Sequence, residues 1–155
     1  ITSQSLIGQK TKDEVLDTAI QKRIYERAEK LNIPQGATEI GKDRLVREQL
    51  ETNRTLAKAE TVVSEAARYK DYLKNRDGNE SLSFLTDEEK KHLTEDDLKK
   101  YRSDYADAYV DFTKKALSSE QYPKLSDDDK VKLLARVSRI ASTLAKRKLA
   151  EEKRK

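Results

Sequence analysis

Apolar residues recur at three- and four-residue steps along most of this chain, and no stretch alternates with period two for long enough to form a strand. The first run, Leu16, Ala19, Ile20, Ile24, Ala28 and Leu31, predicts a helix from about Thr11 to Leu31. Asn32-Ile33-Pro34-Gln35-Gly36 ends it, because Pro34 lacks an amide donor and restricts the residue before it. A second helix is expected to start between Thr38 and Asp43 and run to about Arg76, roughly 45–50 Å. Its seam is Leu56, Ala59, Val63, Ala66 and Leu73, with Gln49 and Thr52 upstream and Lys70 interrupting it. Asp77-Gly78-Asn79 marks a turn. A short helix over about 87–92 follows, then a longer one over about 95–117 lined by Leu98, Tyr101, Tyr105, Ala108, Tyr109, Phe112 and Ala116. Ser118 to Leu125 is a loop broken by Tyr122-Pro123. The last helix carries Leu133, Leu134, Val137, Ile140, Ala141, Leu144 and Ala145, and should fray beyond Leu149, where only charges remain apart from Ala150.

Cap chemistry places the helix starts. Thr11, Thr86, Thr94 and Ser126 are each followed within three residues by carboxylates, and Leu85, Leu93 and Leu125 stand just before the last three. A hydroxyl there accepts from a free first-turn amide, and the acids face the positive end of the helix dipole. The expected fold is therefore all-α: an elongated bundle or paired hairpins of four longer helices and one short one. The expected organisation is an arm at 1–10, a helical hairpin at 11–76, a linker at 77–85 and a helical unit at 86–155.

Composition narrows the function. Charged residues make up 40% of the chain and apolar ones 35%, which suits long helices that bury a stripe and solvate the rest. Cysteine is absent, so disulfides and Cys-based metal sites or nucleophiles are excluded. No apolar run nears the roughly 18–20 residues of a membrane span. The net charge of +4 conceals segregation: residues 1–86 carry +1, residues 87–129 carry −5 and residues 130–155 carry +8. The chain contains no Met and starts at Ile1, which leads to the expectation that it is a piece of something longer.

No cluster reads as a reaction centre. Asp127-Asp128-Asp129 lacks the alternating acids, central Gly and closing Glu of a calcium loop and is read as first-turn capping. Asp104, Asp107 and Asp111 share a helix face but lack the Glu-x-x-His of a di-metal bundle site, so they read as a solvated face pairing with Lys100, Lys114 and Lys115. His92, the single histidine, is read as a cation at a helix end. There is no Walker loop, dinucleotide fingerprint or zinc spacing. The expectation is no enzyme, no metal and no cofactor.

Two features are left for partners. Tyr101, Tyr105, Tyr109 and Phe112 form an aromatic stripe whose three phenols need polar partners, so an interface with another chain is expected. The last helix holds ten cations, among them Lys130, Arg136, Arg139, Lys146, Arg147 and Lys148, which can contact phosphates or an acidic partner without reading sequence.

The stretch Tyr122-Pro123-Lys124-Leu125-Ser126-Asp127-Asp128-Asp129-Lys130 and the Ala- and Lys-rich helix after it, about residues 118–150, resemble a segment of large phage virion proteins. These are internal virion, DNA-ejection or tape-measure-like proteins. The resemblance implies a structural and assembly module within a larger virion assembly or homo-oligomer, packed in the virion interior near DNA. Without it, the expected setting is the cytoplasm. The alternative function is a nucleic-acid-binding module acting through the basic helix, and no catalytic residue carries over.

Overall fold

The computed structural model describes residues 2–30, 44–75 and 79–154, and the side chains of 15–30, 47–74 and 80–154. The described residues form seven α-helices and no strand. They are α1 (Thr2–Lys30), α2 (Arg44–Ser64), α3 (Ala66–Asn75), α4 (Asn79–Leu82), α5 (Asp87–Lys91), α6 (Glu95–Ser118) and α7 (Asp127–Arg154). A single 3₁₀ turn at Tyr122–Lys124 precedes α7. The all-α expectation holds. No described helix is long and apolar enough to cross a membrane.

The caps at Thr86, Thr94 and Ser126 form as read. Thr86 Oγ1 accepts from the Glu89 amide at 3.1 Å, and the Glu89 carboxylate accepts from the Thr86 amide at 3.0 Å. Thr94 and Asp97 make the same reciprocal pair at 3.1 and 2.9 Å. Ser126 Oγ accepts from the Asp129 amide at 3.2 Å. The start expected at Thr11 does not form, because α1 runs unbroken from Thr2 and places Thr11 inside the helix. The expected arm at 1–10 is therefore helical from Thr2 on. Extending a helix costs far less than nucleating one, and no proline stands upstream to stop it.

The second long helix is delivered as α2 and α3, separated at Glu65. The ladder continues through the break: the Glu65 amide donates to Thr61 O at 2.8 Å and the Tyr69 amide to Glu65 O at 2.9 Å. Its expected start at 38–43 and the breaker at 32–36 lie outside the described residues.

α1 and α2 pack antiparallel. Arg23 donates to Thr61 Oγ1 at 2.9 Å and Ser64 Oγ at 3.0 Å, while Arg27, one turn on, reaches back to Asn53 and Glu60. α6 and α7 form a second antiparallel pair. One hydrophobic core joins both pairs: Leu16 from α1, Val62 from α2, Tyr69 and Leu73 from α3, Tyr101 to Val110 from α6 and Val137 to Leu149 from α7. A smaller cluster of Leu56, Ala59 and Leu134, with Leu117 and Val131 against it, ties α2 to the α6–α7 end. The two expected units thus share one core.

Residues 79–85 of the expected linker at 77–85 are part of it; 77 and 78 lie outside the described residues. Residues 79–82 form α4, and Ser81 and Leu85 are buried. α2 packs against α1, α6 and α7, so its burial spreads to Asn53, Ala57, Thr61 and Val62, beyond the single stripe expected from the sequence. Ile140, expected in the seam of α7, is 47% exposed. At 100° per residue it falls well outside the arc shared by Val137, Ala141 and Ala145.

Candidate nucleic-acid interface on the last helix

The inner face of α7 buries Leu134, Val137, Ala141, Ser142, Ala145 and Leu149. This burial decides where its cations go. Lys132, Arg136, Arg139, Arg147 and Arg154 are all exposed and follow one another at steps of four, three, eight and seven residues. At 100° per residue these positions fall within an arc of about 80° opposite the buried face. At 1.5 Å per residue the row is about 33 Å long. Among the described residues none of the five has an ion-pair partner. Between Lys130 and Ala150 the helix carries no acid. Asp128 and Asp129 precede the row, and Glu151 lies within it, between Arg147 and Arg154.

Three of the other α7 cations pair with acids of this chain. Lys130 Nζ lies 3.9 Å from Asp127 and 5.1 Å from the centre of the Tyr122 ring. Lys146 reaches Glu89 at 3.3 Å. Lys153 bonds Asp97 at 2.8 Å and donates to the His92 carbonyl at 3.3 Å. Lys148 is exposed on the flank toward α6, where it acts on the Asp104 carboxyl. With the Lys100–Glu152 pair at 3.0 Å, these contacts keep α7 helical to Arg154, past the point where fraying was expected. The six cations expected to act together therefore divide. Arg136, Arg139 and Arg147 lie on the outer row, while Lys130, Lys146 and Lys148 lie on the flanks.

Two carboxylates serve as caps and as anchors for α7 at once. Glu89 is held below the ordinary carboxylate range by the Thr86 amide and then by Lys146. Asp97 is held down by Lys153 and then by the Thr94 amide. Burial pushes Asp104 up.

The aromatic stripe does not face a partner. Tyr101 and Tyr105 are fully buried and Tyr109 is 7% exposed, all covered by this chain's own helices, while Phe112 is half-buried against the same core. The polar partners of the Tyr101 and Tyr105 phenols come from α4 and α7. Tyr101 Oη donates to Ser81 O at 2.6 Å and lies 3.0 Å from Ser142 Oγ; Tyr105 Oη donates to Glu80 at 3.2 Å. The Tyr105 and Tyr109 rings stack at 5.7 Å. Burial, and then the Glu80 charge, push the Tyr105 and Tyr109 hydroxyls far above their ordinary range.

The acidic face of α6 is also used within the chain. Lys74 meets Asp107 at 3.0 Å, and Lys70 meets Asp111 at 3.3 Å and Asp107 at 3.9 Å. The partners are thus lysines of α3 rather than the expected Lys100, Lys114 and Lys115. Asp127 pairs with Arg27 of α1 at 3.6 Å. His92 is exposed and lies 3.4 Å from Glu88 on its own helix. No group of three or more metal-ligating side chains is present among the described residues.

Sequence reasoning counted Lys132 and Arg154 among the ten cations of the last helix but did not set them apart with the six. The signal for them was the helical spacing measured from the apolar seam. The chain matches no family model, no curated protein and no solved structure.

Proposed function

We propose that this chain is a non-catalytic helical module that holds the phosphate backbone of a nucleic acid along the outer face of α7. The observation that carries this reading is the row of five exposed cations, unpaired among the described residues, over about 33 Å. Lys146 and Lys153, which could add to the row, are paired with acids of α5 and α6. The positive field is thereby concentrated on one face. Such a face attracts phosphates over a distance of about a Debye length and releases condensed counterions on contact.

Salt titration tests it. With four to five phosphate contacts, affinity for a nucleic acid falls about 150- to 500-fold between 50 and 200 mM salt. Absence of binding at 50 mM salt overturns the reading.

We propose as a second reading the assembly module of a phage virion that the resemblance over 118–150 implies. Its contacts with neighbouring chains do not use the tyrosine seam, which is filled from within. The supporting observation is the exposed face of α1, which carries Thr18, Gln21, Lys22, Tyr25, Glu26 and Glu29, with Tyr25 58% exposed. Sedimentation equilibrium tests it: self-association weakened by Tyr25→Ala supports this face, and a monomer at high concentration removes it.

A further inference from the structure

The five cations of α7 are not evenly spread. Lys132, Arg136 and Arg139 lie within about 10 Å along the helix axis, and Arg147 and Arg154 within another 10 Å. The gap from Arg139 to Arg147 is eight residues, about 12 Å. The exposed residues inside it are Ile140 and Thr143, and the cation at its edge, Lys146, is bound to Glu89. Building on the polyanion reading above, we infer that the occupant is a B-form DNA duplex crossed by α7 at its major groove. Arg136 and Arg139 meet the phosphates on one lip, and Arg147 and Arg154 meet those on the other.

Four observations carry this choice of nucleic acid. The uncharged gap equals the width of the B-DNA major groove, about 12 Å. Four of the five cations are arginines, whose planar guanidinium grips a phosphate through two parallel hydrogen bonds. Single-strand binders stack bases on aromatic rings, whereas α7 contains no aromatic residue and the tyrosines of α6 are buried. Ile140, 47% exposed on the gap, is an apolar surface of the kind that meets thymine methyl groups in that groove. A-form RNA presents a deep, narrow major groove, which excludes a helix. The buried face and the pairs at Lys146 and Lys153 seat α7 as one helix against the core, so the spacing exists before the ligand arrives.

Fluorescence anisotropy with the 155-residue chain tests the inference. The probes are a 20-base-pair DNA duplex, one of its strands alone and the RNA duplex of the same sequence, each at 50 mM salt. The expected result is DNA duplex binding at least tenfold tighter than either other probe, displaced by the major-groove dye methyl green and unaffected by the minor-groove ligand netropsin. Equal affinity for all three, tighter binding of the single strand or RNA, or displacement by netropsin alone overturns the duplex inference and leaves the polyanion reading standing. No binding to any probe overturns both.

Discussion

On the flanks of α7, Lys146 and Lys153 end on Glu89 and Asp97, two acids that also cap α5 and α6. On the outer face of the same helix, Arg136, Arg139 and Arg147 end on no acid among the described residues. The flank cations seat α7 against its neighbours, so their loss should show in stability. The outer cations contribute nothing to the seat, so their loss should show in binding. Charge count alone does not separate these roles; the helical angle from the buried seam does.

The largest expected effect lies beneath both surfaces. Tyr101→Ala removes a fully buried ring and its contacts with Ser81 and Ser142, and should cost about 3–5 kcal/mol of unfolding free energy in urea titration. A loss below about 1 kcal/mol would mean that α6 does not pack its tyrosines inward.

Arg27→Gln comes next. Arg27 joins α1 to Glu60 at 3.3 Å, Asn53 at 3.4 Å and Asp127 at 3.6 Å, and its side chain is 24% exposed. Losing charged hydrogen bonds of this kind should cost about 1–3 kcal/mol. The change also removes the tie between α1 and the first turn of α7, so the protection of that turn from hydrogen exchange should fall. Unchanged nucleic-acid affinity in this variant would sharpen the division between seat and surface.

The flank pairs themselves are partly exposed, and Lys153→Gln should cost only about 0.2–1 kcal/mol. Their pH dependence is more diagnostic. The carboxyls of Glu89 and Asp97 are held down in the folded protein, so their stabilising effect is present above the unfolded carboxylate value of about 4 and is lost as pH falls through the lower folded value. Hydrogen exchange should show the last turns of α7 losing protection below about pH 4, ahead of the Tyr101–Ser142 layer.

Where an element depends on neighbours in sequence, it was legible. Thr86, Thr94 and Ser126 start helices because each cap is settled within four residues. Thr11 failed as a start because nothing before it breaks the helix. Periodicity identified the face that carries Tyr101, Tyr105 and Tyr109, but not what that face meets. The partners of the Tyr101 and Tyr105 hydroxyls, Ser81 and Glu80, come from a stretch with no helical period of its own, and Ser142 lies 41 residues beyond Tyr101. The cationic site was legible as a composition. Its division into seat and surface depends on Glu89 and Asp97, brought against α7 by the turn at Tyr122–Lys124, and no local pattern reveals that pairing.

The most direct test compares two charge-matched triple variants on the same DNA duplex: Arg136→Gln with Arg139→Gln and Arg147→Gln, against Lys130→Gln with Lys146→Gln and Lys153→Gln. Each removes three positive charges. The dependence of log affinity on log salt should flatten by about 2.7 in the outer-row variant, at 0.9 per phosphate contact, and stay at the wild-type slope in the flank variant. Thermal unfolding should show the reverse order, with the flank variant the less stable. Equal flattening of the two slopes would contradict the account, because it would mean that α7 binds by total charge and that its outer row is no site.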